Sequence, residues 1–261
     1  VGRAGDAGRA RAAEGGDWLL EALDRVPAPE VPVREPWKIS LGVLLSAHPL
    51  VPALAARPLK LLDGLGAIHL SPQSVGFDGT EVEWEKVTEI RMRGGGRSLA
   101  KDAIDSSFDA IRDALLLVPG KNWALGKLAE GLTTLLFRIM ENAEGSEQYL
   151  DVLVPGTIVY KGRFGRSKEC AASVYPVLLQ LVRPDIVAAL MATAEAHGVP
   201  VVRPEGDDPD VCELAEIEGA LREAEARALA VSRDEEAVPP AQPLPEGASG
   251  AGGGGGGGAQ E

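Results

Sequence analysis

The sequence predicts an α+β fold: an antiparallel sheet or partial barrel with an inserted helical hairpin and a C-terminal helix. Three observations carry this expectation. Between Ala67 and Arg93 apolar residues recur at every second position, the period of a half-buried strand. From Leu99 to Ile139 the spacing changes to three and four, in two stripes parted by Pro119-Gly120. Residues 149–160 then regain strand character and lead into a further helical stretch.

Val1 to Gly16 is rich in Ala, Gly, Arg and acidic residues and is expected to be disordered. Asp17 opens a short helix with Trp18, Leu19, Ala22, Leu23 and Val26 on one face, and Pro27, Pro29 and Pro32 end it. A helix this short is marginal in water without a surface to pack on. It is expected to dock on the core, with partner binding as the alternative. Trp37, Ile39, Leu41 and Val43 alternate and predict a strand. The uncharged run from Ile39 to Ala56 approaches the length of a membrane span, but it contains His48, Pro49 and Pro52 and reads as a buried strand-turn-helix segment.

In the central stretch, Ile68 and Leu70 form one short run that Ser71-Pro72 interrupts, since proline has no N–H for a ladder. Val75 and Phe77 form the next. Asp78-Gly79 is the residue pair that a tight hairpin turn with two positive φ angles prefers. Thr80, Val82 and Trp84 resume the alternation, with Glu81, Glu83 and Glu85 between them, and Val87 and Ile90 extend it to Arg91-Met92-Arg93. The expected result is a meander that buries Phe77, Val82 and Trp84.

The order Phe77-Asp78-Gly79, Val82, Trp84, Val87, Ile90 resembles the N-terminal sheet of bacterial pleckstrin-homology-like (PH-like) and GRAM-like domains, where F-D-G-x-x-V-x-W leads into a strand ending in alternating charges. The resemblance lies mainly in this hairpin. It implies a PH-like, partly open barrel of antiparallel strands closed by a C-terminal helix. It also implies a module that binds lipids, peptides or proteins and is not catalytic. The helical stretch that follows the hairpin here departs from the family, which has further strands at that point.

Gly94-Gly95-Gly96 precedes a helix with Ser98 as its expected N-cap. No phosphate-binding glycine motif is present, so the run reads as punctuation. Ile104, Phe108, Ile111, Leu115 and Val118 form the first helical stripe, and Leu125, Leu128, Leu132, Leu135 and Ile139 the second, which together predict an αα-hairpin. Tyr149 to Val154, Pro155-Gly156 and Thr157 to Tyr160 read as two strands around a Pro-Gly turn. Lys161, Arg163, Arg166 and Lys168 then surround Phe164, and Ser167 is the expected cap of a helix running through Ala171, Val174, Leu178 and Val182. Pro184 suits a first helical turn, and Gly198 is the expected stop of the helix carrying Ile186, Ala189, Leu190 and Thr193.

Charge separates the chain into parts. The net charge is −13, yet residues 205–261 hold 14 acidic and 3 basic residues, while residues 36–204 hold 18 of each. The acidity therefore belongs to a tail, and the balance argues against whole-chain nucleic-acid binding. The tail is helix-prone over Asp207 to Ala237 and disordered beyond Val238, where prolines and a run of seven glycines follow. The expected organisation is a disordered N-terminal segment with a docking helix (1–35), a single core domain (36–204) with its helical insertion (98–143), and the acidic tail (205–261).

Candidate chemistry is sparse. Cys170 and Cys212 fit no metal or redox spacing and read as reduced thiols. His48, His69 and His197 are scattered without motif partners, and no hydrolase, zinc or nucleotide motif occurs. Glu81, Glu83 and Glu85 share a strand face and read as solvated rather than as ligands of a hard cation. No catalytic residue, metal or cofactor is expected. The first 17 residues lack an apolar h-region, so no signal peptide is expected, and the location is read as cytoplasmic.

The best candidate site is the basic segment. Read as leading from a strand into a helix, it offers Lys161, Arg163, Arg166 and Lys168 plus free helix N–H groups to an anion, and Arg91, Arg93 and Arg97 extend it if the two hairpins lie side by side. The expected function is a non-enzymatic protein-interaction or scaffold module with a protein partner. The alternative is a peripheral adaptor that binds anionic lipid headgroups on the inner membrane face through residues 161–168.

Overall fold

The computed structural model describes residues 18–48, 64–95, 99, 101–115, 121–142, 152–203, 217, 219, 220, 223, 226 and 227. The fold is α+β: two four-stranded sheets and their covering helices share one hydrophobic core.

The first sheet is the meander expected of the central stretch, with one more strand. β1 (Trp37–Ile39), β2 (Ile68–Leu70), β3 (Ser74–Phe77) and β4 (Thr80–Glu83) pair in that order, all antiparallel. The register stacks Ile39, Ile68 and Phe77 in one row and Trp37, Leu70, Val75 and Val82 in the next. Period-two alternation puts both rows on one face, and all seven side chains are buried. Asp78 and Gly79 adopt φ of 49° and 76°, the turn their sequence predicted. The alternation after Ile39 does not continue as strand. Ser40 accepts a hydrogen bond from the Val43 N–H (3.2 Å) and caps helix α2 (Leu41–Ser46), so a cap overrides the apparent period.

Trp84 ends the meander. It begins a single 3₁₀ turn, Trp84–Lys86, and its indole N–H donates to the Ser71 carbonyl (3.0 Å) while its backbone N–H donates to Gln73 (3.0 Å). The chain is thereby redirected, and β5 (Val87–Gly94) joins a second sheet ordered β7-β6-β5-β8. β6 is Leu153–Lys161, β7 is Ser167–Ala171 and β8 is Val201–Val202, the last parallel to β5. The expectation of one sheet built from two hairpins is therefore corrected to two sheets, and the described residues form no closed barrel. The sheets meet where the Cys170 thiol lies 3.5 Å from the Phe77 carbonyl.

Pro155-Gly156 is also corrected. It is a bulge inside one strand, opposite the register shift between Arg91 and Met92. Gly156 packs against the Arg93 stem, which a Cβ there would meet at 2.5 Å. The freed carbonyls are used: Pro155 accepts from the Gln180 amide (3.1 Å) and Gly156 from Ala172 N–H (2.8 Å).

The helical hairpin forms as expected, with α3 (Lys101–Leu115) and α4 (Lys121–Asn142) burying Ile104, Phe108 and Ile111 and Leu125, Leu128, Leu132, Leu135 and Ile139. Each fully buried residue of this size contributes about 1.5–3 kcal/mol relative to exposure. α5 (Val174–Val182) follows Ser173 and tolerates Pro176 in its first turn, where N–H groups have no helical partner. α6 (Pro184–Ala196) starts on Pro184 and stops at Gly198, with φ of 69°.

The N-terminal helix, α1 (18–25), buries Leu19, Ala22 and Leu23 in the core, as expected of a docking helix. Arg183 holds its end, donating to the Leu23 and Val26 carbonyls (2.9 and 3.3 Å) while pairing with Asp185. Of the acidic tail, residues 217, 219, 220, 223, 226 and 227 are helical, with Ile217 and Ala220 buried and Glu223 and Arg227 paired to Lys101 and Asp105 of α3. The expectations for the chain ends, for Gly96, Arg97 and Ser98, for Pro119-Gly120, for Tyr149 and for Cys212 fall outside the described residues.

Candidate functional site

The basic segment forms the tip of a hairpin. β6 and β7 pair antiparallel, with Tyr160 opposite Lys168 and Lys161 opposite Ser167. Gly162 N–H donates to the Arg166 carbonyl (2.8 Å) and Gly165 N–H to Gly162 (3.2 Å), closing a tight loop. Two successive residues at its apex are left-handed, Phe164 at φ 66° and Gly165 at φ 69°. The conformation suits Gly165 and is disfavoured for Phe164, whose Cβ crowds the following carbonyl.

Phe164 is 98% exposed, and every residue from 163 to 169 is exposed. Lys161 and Lys168 lie on opposite faces of the hairpin, because Lys168 shares the face of Tyr160 and successive side chains alternate. Arg163 and Arg166 sit on either side of the apex. The segment 161–168 contains four cations and no carboxylate, and none of the four pairs with an acid among the described residues.

One part of the expectation is overturned. Ser167 opens strand β7 rather than capping a helix, and the next helix starts at Val174. The backbone N–H groups of a helix start are therefore not beside Arg163 and Arg166. An anion at the tip meets side chains. The sequence Ser167–Ala171 has little strand propensity, but pairing with β6 and burial of Cys170 hold it extended.

Arg91 and Arg93 do not join the tip. Val87 pairs with Tyr160 and Gly94 with Leu153, so β5 carries both arginines away from it. Arg91 lies opposite Thr157, four residues or about 13 Å along the strand from Lys161. Its guanidinium donates to Glu89 (2.6 Å) and Glu169 (2.7 Å), and these bonds raise its pKa above the ordinary value. Arg93 is farther still, its stem over Gly156.

The other polar groups are occupied structurally. His69 Nε2 lies 3.0 Å from Ser74 Oγ and 3.5 Å from Glu81, while its Nδ1 is buried with no partner among the described residues. Protonation would place an N–H at that sealed nitrogen, and burial lowers the His69 pKa despite the Glu81 charge. Glu81 and Ser74 both approach the same ring nitrogen, Nε2. The His197 ring stacks on Trp84 at 5.1 Å and 7°. Glu83 pairs with Lys86, and no group of three metal-ligating side chains occurs among the described residues.

The chain matches no protein-family model, no curated protein and no solved structure. The site must be read from its own chemistry. No single helix among the described residues is long and apolar enough to cross a membrane; α5 and α6 together are apolar enough, but they meet at 102° and are largely buried in the core.

Proposed function

We propose that the protein is a non-enzymatic interaction module of PH-like type that docks reversibly on the anionic, cytoplasmic face of a membrane through the β6–β7 tip. The observation that carries this is a cluster of four exposed cations without a carboxylate partner among the described residues, presented on both faces of one hairpin. A four-strand meander followed by three further antiparallel strands, with α3 and α4 inserted between β5 and β6, and then by α5 and α6 supports the PH-like part.

Each basic residue near an anionic surface contributes about 1 kcal/mol, so the four provide attachment in the millimolar range. The attraction fades over a Debye length of about 10 Å at 0.1 M salt. Co-sedimentation with phosphatidylserine-containing vesicles is expected, absent with pure phosphatidylcholine and released by salt. The double variant Arg163→Glu/Arg166→Glu is expected to lose it. Binding unchanged in that variant, or equal on neutral vesicles, rejects the reading.

A protein-interaction or scaffold role is the second reading. It is favoured by β7 lying at the edge of its sheet, where an extended segment can add a strand. A partner that still binds the charge-reversed variant would support it.

A further inference from the structure

Resting on the membrane reading, we infer that Phe164 is a penetrating anchor: its ring enters the boundary between headgroups and acyl chains of an anionic bilayer while Lys161, Arg163, Arg166 and Lys168 hold the surrounding phosphates. Three independent observations meet at this residue. Phe164 is 98% exposed, whereas the other exposed large apolar residues among those described are valines at 57% or less. Its φ of 66° is a conformation that favours glycine or asparagine, so an aromatic side chain here opposes the local backbone. No core contact compensates, because the whole loop from 163 to 166 is exposed. Finally, cations flank the ring in sequence and on both faces of the hairpin, so ring and charges address one surface together.

The chemistry of the occupant follows from that combination. A soluble polyanion would use the cations and leave the ring in water. A single-stranded nucleic acid takes up aromatic side chains along a charged groove that stacks successive bases, and this tip presents one ring on a convex apex. A bilayer satisfies both parts: cationic heads reside among phosphates while an apolar group beside them reaches below. The charges alone give weak binding, and an apolar ring buried beside them strengthens it in proportion to the area it removes from water.

The test uses the full chain with vesicles of phosphatidylcholine and phosphatidylserine and a monolayer of the same lipids. Phe164→Asn removes the ring but keeps a residue that tolerates left-handed backbone. Phe164→Trp keeps an interfacial aromatic. Phe164→Asn is expected to bind vesicles about 10-fold or more weakly, as loss of a buried aromatic implies, to retain its preference for anionic lipid, and to stop raising monolayer surface pressure. Phe164→Trp is expected to match or exceed the wild type in both assays. Wild-type affinity and monolayer insertion in Phe164→Asn overturn the inference. If Arg163→Glu/Arg166→Glu still loses binding in that case, electrostatic docking stands and only penetration falls. Binding unchanged by the charge reversal removes the underlying reading instead. Phe164-dependent binding to single-stranded oligouridylate, without vesicle binding, also overturns the inference.

Discussion

Two turns of this protein share a backbone geometry and differ in everything attached to it. At the β3–β4 turn, Asp78 and Gly79 are both left-handed; at the β6–β7 turn, Phe164 and Gly165 are. The Asp78 carboxylate accepts hydrogen bonds from Gly66 N–H, Ser173 N–H and Ser173 O–H, each at 2.8 Å, and so ties the hairpin to the start of β2 and to α5. The Phe164 side chain contacts solvent. Left-handed backbone in a residue with a Cβ costs about 1–2 kcal/mol. At Asp78 three hydrogen bonds offset the cost and the fold gains a junction. At Phe164 no contact among the described residues offsets it. A left-handed residue is thus tied into the fold at one turn and carried on an exposed apex at the other.

The largest effect expected from this contrast is at the buried turn. Asp78→Ala leaves three donors without their acceptor and should lower unfolding free energy by about 2–4 kcal/mol in urea titration. A loss below about 1 kcal/mol would remove Asp78 as a junction. The neighbouring glycines sharpen the comparison. A Cβ on Gly79 would lie 2.9 Å from Gly64 Cα, whereas one on Gly165 meets nothing within 4 Å. Gly79→Ala should therefore cost about 2–3 kcal/mol and Gly165→Ala about 1 kcal/mol, the latter from backbone strain alone. Equal costs would show that the tip is packed after all.

A pH series separates the turns differently. Burial holds the Asp78 carboxyl above the usual aspartate range, against the pull of its hydrogen bonds from Ser173 and Gly66. The folded protein then binds this proton more tightly than the unfolded chain does. Its contribution is complete below the unfolded pKa of about 4 and is lost as pH rises through the higher folded value. Relative to Asp78→Asn, which does not titrate, the wild type should lose stability from about pH 4 upward. A difference that is flat, or that grows in favour of the wild type, contradicts this. The smallest effect is expected at the exposed apex: Phe164→Asn should raise rather than lower unfolding free energy, by less than about 1 kcal/mol, because asparagine tolerates the left-handed backbone.

The sequence made the first turn legible and half of the second. Asp-Gly between alternating apolar runs is a hairpin signal with a local mechanism, and Phe77, Val82 and Trp84 are buried as the alternation implied. The αα-hairpin, Pro184 and Gly198 were equally readable because their signals are local. What the sequence concealed depends on contacts distant in the chain. β5 pairs with β6 across the whole helical insertion, so Pro155-Gly156 looks like a turn until its partner strand makes it a bulge. Ser167 to Ala171 reads as a helix start because only β6 and the burial of Cys170 make it a strand. The four cations of the tip were visible as a cluster around Phe164. The left-handed apex was not, since Arg163-Phe164-Gly165 carries one glycine where two residues have positive φ. Arg91 and Arg93 extend the patch only if the two hairpins lie side by side with their cations at one end, and strand direction carries them away.

Hydrogen exchange with and without phosphatidylserine vesicles tests the central claim most directly, because it reads both turns in one sample. Slowed exchange is expected at residues 161–168 and unchanged exchange at residues 64–84. Protection of the β3–β4 turn or of α3 and α4, with the β6–β7 tip exchanging as it does free in solution, would contradict it.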